Sequence, residues 1–180
     1  MTYCELAAGH PWHGPYHDQE YGWPRTEDDV LFERLSLEIF QAGLSWLLIL
    51  QRRAGLQAAF DGFDLDTVAA YGEADVERLL ADPRIIRNRR KVAAIIGNAR
   101  VCQELRAEHG SVHAWLAAQH PLPLDEWVRR FRARLAFCGP EVVGEFLLSL
   151  GWLPGAHAPD CPVGRAIRAA NPPWAQAADG

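Results

Sequence analysis

Two short stretches in the first quarter of the chain hold residue types that do chemistry. Tyr16-His17-Asp18-Gln19-Glu20-Tyr21-Gly22 combines a metal-ligand type with aromatic rings. Glu38-Ile39-Phe40-Gln41-Ala42-Gly43-Leu44-Ser45-Trp46 places a carboxylate inside an apolar run that ends in an indole. Together they suit a pocket that grips a flat, polar, π-rich object such as a nucleobase. Glu38 follows Leu31, Leu35 and Leu37, and a carboxylate on such a face caps, pairs with an arginine, or lines a pocket. A surface glutamate at a helix end is the plain alternative, as core packing is for Tyr16 and Trp46. Gly43, which lets a backbone approach closely, tips the reading towards a pocket.

A second set lies at the two ends of the chain. Cys4 and His17 are near one terminus, His157 and Cys161 near the other. Four such ligands close a tetrahedral zinc site with no open position, so the ion is structural and staples the ends together. The pairs are far apart and neither has finger-like spacing, so four unrelated side chains remain the rival. Cys102 and Cys138 sit in apolar helical surroundings and read as buried thiols.

Charge is unevenly spread. The net charge is -5, but residues 1–80 carry 5 basic and 14 acidic side chains, whereas residues 81–150 carry 11 and 7. Arg84, Arg87, Arg89, Arg90, Lys91 and Arg100 follow one another with no acid between them, and Lys91 is the sole lysine. This is a local basic face on an acidic body, and within a Debye length of about 10 Å the local charge is what a DNA backbone feels.

Helices must position these groups. Thr26 caps one through Ile39 that bends near Gly43, and Ser45 to Phe60 forms the next. Short helices open at Asp64 and Glu73, and a long one runs from Asn88 to Glu108 with its basic residues at the start. Ser111–Gln119, Asp125–Leu135 and Glu141–Leu150 follow, the last after Cys138-Gly139-Pro140. Such a glycine turn presents backbone N–H groups to a phosphate, as in a helix-hairpin-helix, or is a plain αα-corner. With 180 residues, 49% of them hydrophobic, one all-α domain over 1–180 is expected, with a loose tail from about residue 166. No secretory signal and no apolar run of about eighteen residues appear, which predicts a cytoplasmic protein off the membrane.

The residues together resemble the 3-methyladenine DNA glycosylase I family, of the helix-hairpin-helix glycosylase superfamily. The blocks that carry the likeness are Cys4, Tyr16-His-Asp-Gln-Glu-Tyr-Gly-Trp-Pro24, Leu31-Phe-Glu33, Leu37-Glu38, Gln41-Ala-Gly-Leu-Ser-Trp46, Asp75-Val-Glu-Arg-Leu79, Ile85-Ile-Arg-Asn-Arg-Arg-Lys91 and Ala94-Ile-Ile-Gly-Asn-Ala-Arg100. Beyond residue 105 it thins to Gly139 and the His157/Cys161 pair. The resemblance implies a monomeric, monofunctional glycosylase that flips 3-methyladenine out of duplex DNA and hydrolyses its N-glycosidic bond. It implies that Tyr16 and Trp46 stack on the base, with Gln41 and His13 beside it, and that Glu38 accepts hydrogen bonds from the purine edge as an anion. It also implies that Arg87, Arg89, Arg90, Lys91 and Gly139 hold phosphates, and that Cys4, His17, His157 and Cys161 bind a structural Zn2+, with Asp160 behind them. His13 stands where the family has a pocket tyrosine, and Leu6 where it has a tryptophan. The alternative on the same residues is a lesion-binding protein without turnover, or a glycosylase of shifted alkyl-base specificity.

Overall fold

A helix buried on every side organises the structure. This computed structural model describes residues 1–178, among which twelve α-helices and no strands occur. The central helix, α3 (Asp28–Gln41), follows α1 (Tyr3–Ala7) and α2 (His13–Gln19). Leu31, Phe32, Leu35, Leu37, Ile39 and Phe40 are all buried on it, and so are Arg34, Ser36 and Glu38. A helix apolar all round belongs in the middle of a core, and any polar side chain on it must be satisfied or put to use. Around it pack α4 (Trp46–Ala59), α7 (Arg89–His109), α8 (Val112–Ala117) and α10 (Pro140–Ser149). The core is continuous from Leu31 to Trp152.

Local chemistry sets the boundaries. Ser45 Oγ accepts from Leu48 N at the start of α4, and Asn88 Oδ1 accepts from Lys91 N at the start of α7. Asp64 caps α5 (Leu65–Ala69) and Ser111 caps α8 in the same way, which satisfies donors a helix start leaves orphaned. Thr26, expected as the cap of α3, is not used: Glu27 holds that position, and no side chain caps it. The acids behind it reach outwards instead. Asp28 accepts from Val112 N and Asp29 from Leu65 N, so the first turn of α3 caps α8 and α5. Nor does α3 bend near Gly43. It ends at Gln41, and Gly43 takes a positive φ of 82° in the turn to α4.

The remaining helices are α6 (Glu73–Ala81), α9 (Leu124–Arg132), α11 (Pro162–Ala169) and α12 (Pro173–Ala178). The last two replace the loose tail expected from residue 166. Ile167 and Ala175 are buried, and Trp174 N donates to Gly151 O. Ile167 lies against Gly22, whose φ of 91° would strain any side chain and whose neighbours would have to give way: a Cβ there would stand 3.1 Å from Ile167 Cδ1. α11 thus packs on the turn after α2. No helix of the described residues is long and apolar enough to cross a membrane.

Candidate functional site: an aromatic, acidic pocket beside a four-ligand cluster

A cavity of about 440 Å³ opens between α1, α2, α3, α4 and α10, lined by Tyr3, Tyr16, Tyr21, Glu38, Gln41, Trp46, Glu141 and Glu145. Its size suits a small molecule. Tyr16, Glu38, Gln41 and Trp46 are brought together as the sequence predicted. The rings of Tyr16 and Trp46 meet edge to face, 5.1 Å apart and at 61°. A planar ligand lies flat on only one of them and meets the other on edge. His13 does not line the cavity. It is buried behind Tyr3, whose hydroxyl lies 3.2 Å from its Nδ1, and the Tyr3 ring forms the wall instead. Burial, then the nearby His10, lowers the His13 pKa, so at neutral pH the ring brings no charge to the pocket's edge. Leu6 is exposed and also lies outside the lining.

Glu38 is only 5% exposed. Burial, and then the charge of Glu145, push its carboxyl up from 4.5 to about 8, against the pull of Arg34. It is therefore mostly protonated at neutral pH in the free protein, rather than the standing anion expected. Arg34, 2% exposed, holds the pocket from behind. Its guanidinium donates to Glu20, to Ser149 O at 3.0 Å and to the Tyr16 hydroxyl at 3.4 Å, and lies 5.1 Å from the Tyr16 ring centre. Arg53 closes the group from the surface side, pairing with both Glu20 and Glu33.

The basic stretch divides. Arg87 and Arg90 are exposed, and Arg90 lies over the Phe137 ring of the hairpin turn at 5.9 Å. Gly139 is the N-cap of α10 in that same turn. Arg89 is already engaged, at 3.1 Å with Glu73 and 2.8 Å with Glu77 of α6. Lys91 is not on the surface at all. It is 6% exposed, and its Nζ donates to Phe40 O at 2.9 Å and Ala42 O at 2.7 Å. It neutralises the C-terminal carbonyls of α3, the helix that carries Glu38 and Gln41, and so positions the pocket rather than a phosphate. The groove of the hairpin is lined by Ala42, Arg132, Phe137, Gly139 and Glu141 among others, so Glu141 borders both this groove and the pocket.

Cys4, His17, His157 and Cys161 do converge, with one ligand atom of each within 4.8 Å of all the others. Cys161 Sγ lies 3.8 Å from His17 Nε2 and 3.6 Å from His157 Nδ1, and Cys4 Sγ lies 3.7 Å from His157 Nδ1. The outward ring nitrogens are also held: His17 Nδ1 faces Asp18 Oδ1 at 2.7 Å, and His157 Nε2 faces Tyr21 O at 2.6 Å. That leaves Nε2 of His17 and Nδ1 of His157 free to point inwards, the arrangement by which metal-bound histidines are fixed. The supporting acid is Asp18, next in sequence to His17, and not Asp160, whose carboxylate hydrogen-bonds neither histidine. Cys102 and Cys138 are buried thiols, as expected.

Tyr3, Glu141, Glu145 and Arg34 escaped the sequence reading, and Tyr21 stood in its motif without a role in the pocket. For the two glutamates a signal existed: acids four apart on an apolar helix share one face and repel, an arrangement that a purely structural helix avoids.

Fold and site define an all-helical protein with a small-molecule pocket of aromatic and acidic walls. Residues 7–133 match the model of the methyladenine glycosylase family. The DNA-3-methyladenine glycosylase 1 of Escherichia coli (strain K12) is 49% identical over 100 residues, which are 56% of this chain and 54% of that protein, about half its length. The DNA-3-methyladenine glycosylase of Haemophilus influenzae is 30% identical over 177 residues, covering 84% of this chain and 95% of the relative. The structure of 3-methyladenine DNA glycosylase I from Staphylococcus aureus, described in terms of 3-methyladenine recognition, superposes with a TM-score of 0.80 at 28% identity, over 91% of this chain and 97% of that one. This chain belongs to the methyladenine glycosylase family.

Proposed function

We propose that this protein is a DNA repair glycosylase that hydrolyses the N-glycosidic bond of 3-methyladenine in duplex DNA. The observation that carries the reading is the pocket's composition: four aromatic rings, three carboxyl groups and one amide, with no basic side chain among the lining residues. Such walls favour a flat cation over a neutral base, through ring faces and through carboxylates. N3-alkylation makes adenine that flat cation. The nucleotide leaves the helix, at a cost of a few kcal/mol, and its base enters the cavity. The cation lowers the cost of ionising Glu38, which then gives up its proton and pairs with the purine edge. A normal adenine provides no such charge and meets a neutral carboxyl. Tyr16, fixed by Arg34, or Trp46 supplies the flat contact.

DNA binding is assigned to a helix-hairpin-helix made by α9, the Gly139 turn and α10, with Arg87 just ahead of α7 and Arg90 in its first turn. Arg89 contributes less because it already serves two acids, and Lys91 does not contribute. The four-ligand cluster is assigned to a structural Zn2+. Bonds of about 2.3 Å to sulfur and 2.0 Å to nitrogen at tetrahedral angles separate S from N by about 3.5 Å and N from N by about 3.3 Å. The separations of 3.6, 3.7 and 3.8 Å between S and N, and of 3.1 Å between the two nitrogens, support this reading. Four protein ligands leave no position for substrate, so the ion's contribution is to tie α1 and α2 to the segment before α11.

The test is incubation of the purified protein with methylated duplex DNA and chromatography of the released bases. Release of 3-methyladenine is expected. Folded, metal-loaded protein that binds the DNA and releases no base would replace the enzyme by a lesion-binding protein.

A further inference from the structure

Glu38 meets the purine edge, and the pocket holds a further carboxylate to which that reading gives no partner atom of the nucleotide. Glu145 lies on α10, and its Oε2 accepts a hydrogen bond from the Tyr21 hydroxyl at 3.2 Å, which fixes it against the pocket wall. It differs from Glu38 in depth: Glu38 is buried, whereas the Glu145 residue is exposed and only part of its carboxyl is shielded, enough for burial to raise its pKa above the ordinary carboxylate value. It differs from Glu141 in position along α10. Glu141 is in the first turn, next to the Gly139 cap, and borders the hairpin groove as well as the pocket. Glu145 is one turn further on and borders the pocket alone.

This ordering maps onto a nucleotide. The base reaches in towards Glu38, the phosphates stay at the hairpin turn, and the deoxyribose must lie between them. Of the three lining carboxyl groups, Glu145 is the one engaged neither by the base, as Glu38 is, nor by the hairpin groove, as Glu141 is. We propose that Glu145 is a catalytic residue of this glycosylase, the general base that orients and deprotonates the water attacking C1′. The proposal rests on the glycosylase reading of the same pocket.

The step balances without a co-reactant. The C1′–N9 bond breaks and its electron pair leaves with the base, whose positive charge is thereby neutralised. The sugar becomes oxocarbenium-like, and the anionic Glu145 stabilises that charge. A water oxygen forms the new C1′–O bond, and its surplus proton passes to Glu145 and then to solvent. Tyr21 positions the carboxylate: with Oε2 committed to the phenol, Oε1 is left for the water.

The experiment compares wild type with Glu145→Gln and Glu145→Ala, reading single-turnover release of 3-methyladenine from methylated duplex and, separately, the Kd of free 3-methyladenine. Because Glu145 is at the surface, both variants keep the fold, which thermal melting checks. Glu145→Gln is expected to slow release by about 100-fold or more, the usual weight of a general base, with the free-base Kd within about threefold of wild type. Formate is expected to restore part of the Glu145→Ala rate by standing in for the carboxylate, a rescue that a merely structural residue does not show. An unchanged rate in Glu145→Gln overturns the proposal. So does a rate loss matched by an equal loss of free-base affinity, which makes Glu145 a base-binding group, or an Ala variant that formate leaves unrescued. A wild type that releases no base overturns the glycosylase reading itself, so the two failures are distinguishable.

Discussion

Glu38→Gln exchanges an acid for its neutral analogue at a position where burial raises the carboxyl pKa from 4.5 to about 8. At pH 7 the unfolded chain holds this group as a carboxylate, and the native state holds it mostly protonated. The native state thus binds the extra proton, so the acid destabilises the fold increasingly as pH rises above 4.5, levelling off above about 8. Linkage gives a penalty of about 3 kcal/mol at pH 7 and under about 1 kcal/mol at pH 5. Glutamine does not titrate, so the stability difference between variant and wild type changes by about 2 to 3 kcal/mol over that interval, however the amide packs. For a chain of this size the difference in Tm shifts by about 5 to 10 °C in favour of the variant on going from pH 5 to pH 7. Differential scanning calorimetry of both proteins at the two pH values measures it. Base release measured on the same samples is expected to fall strongly in the variant, since the group that answers the cation is gone. A Tm difference that stays constant with pH would refute the assignment of a raised pKa, and unaltered release would remove Glu38 from recognition.

Further outcomes rest on the other named groups. Metal analysis is expected to find one zinc per chain, and chelation to lower Tm and expose Cys4 and Cys161 to thiol reagents while Cys102 and Cys138 stay protected; a chelator without effect would deny the site. Lys91→Met removes two hydrogen bonds from a buried ammonium and costs about 2 to 3 kcal/mol of stability by denaturant unfolding, with the salt dependence of DNA binding unchanged. Arg87→Ala with Arg90→Ala is expected to do the reverse, flattening the log Kd against log salt slope by up to about 0.9 for each phosphate no longer neutralised, with Tm unchanged. Arg34→Met costs about 3 kcal/mol, at the lower end for a broken buried pair because Glu20 keeps Arg53, and weakens 3-methyladenine binding in calorimetric titration as Tyr16 loses its support.

Much of the helical order was legible because local rules decide it. Ser45, Asp64, Asn88 and Ser111 are caps whose side chains act on the next turn, and the apolar spacing behind them sets each helix. Lys91 shows where that legibility stops. A cationic side chain at a helix start reads the same whether it faces water or reaches inwards, and only the arrival of the end of α3, some fifty residues earlier in the chain, settles the matter. The ion pairs of Arg89 were hidden for the same reason, since its acidic partners lie on another helix. Glu38, Tyr16 and Trp46 stood out because their types are unusual for their surroundings. Tyr3 did not, because a single tyrosine in a five-residue helix carries no pattern, and the wall it forms exists only once α1 has docked. The final helices were missed because each buries little: one isoleucine and one alanine hold what composition marks as a tail.

Tyr3 and Cys4 are neighbours on the short helix α1. One forms a pocket wall and the other belongs to the four-ligand cluster. Five residues do not make a stable helix alone, so this turn takes its place from what anchors it. On the function proposed above, the discrimination of a damaged base from an undamaged one is therefore tethered to thiol chemistry. With the proposed ion in place, oxidation of Cys4 or loss of the ion is expected to slacken that pocket wall while the core around α3 stays intact.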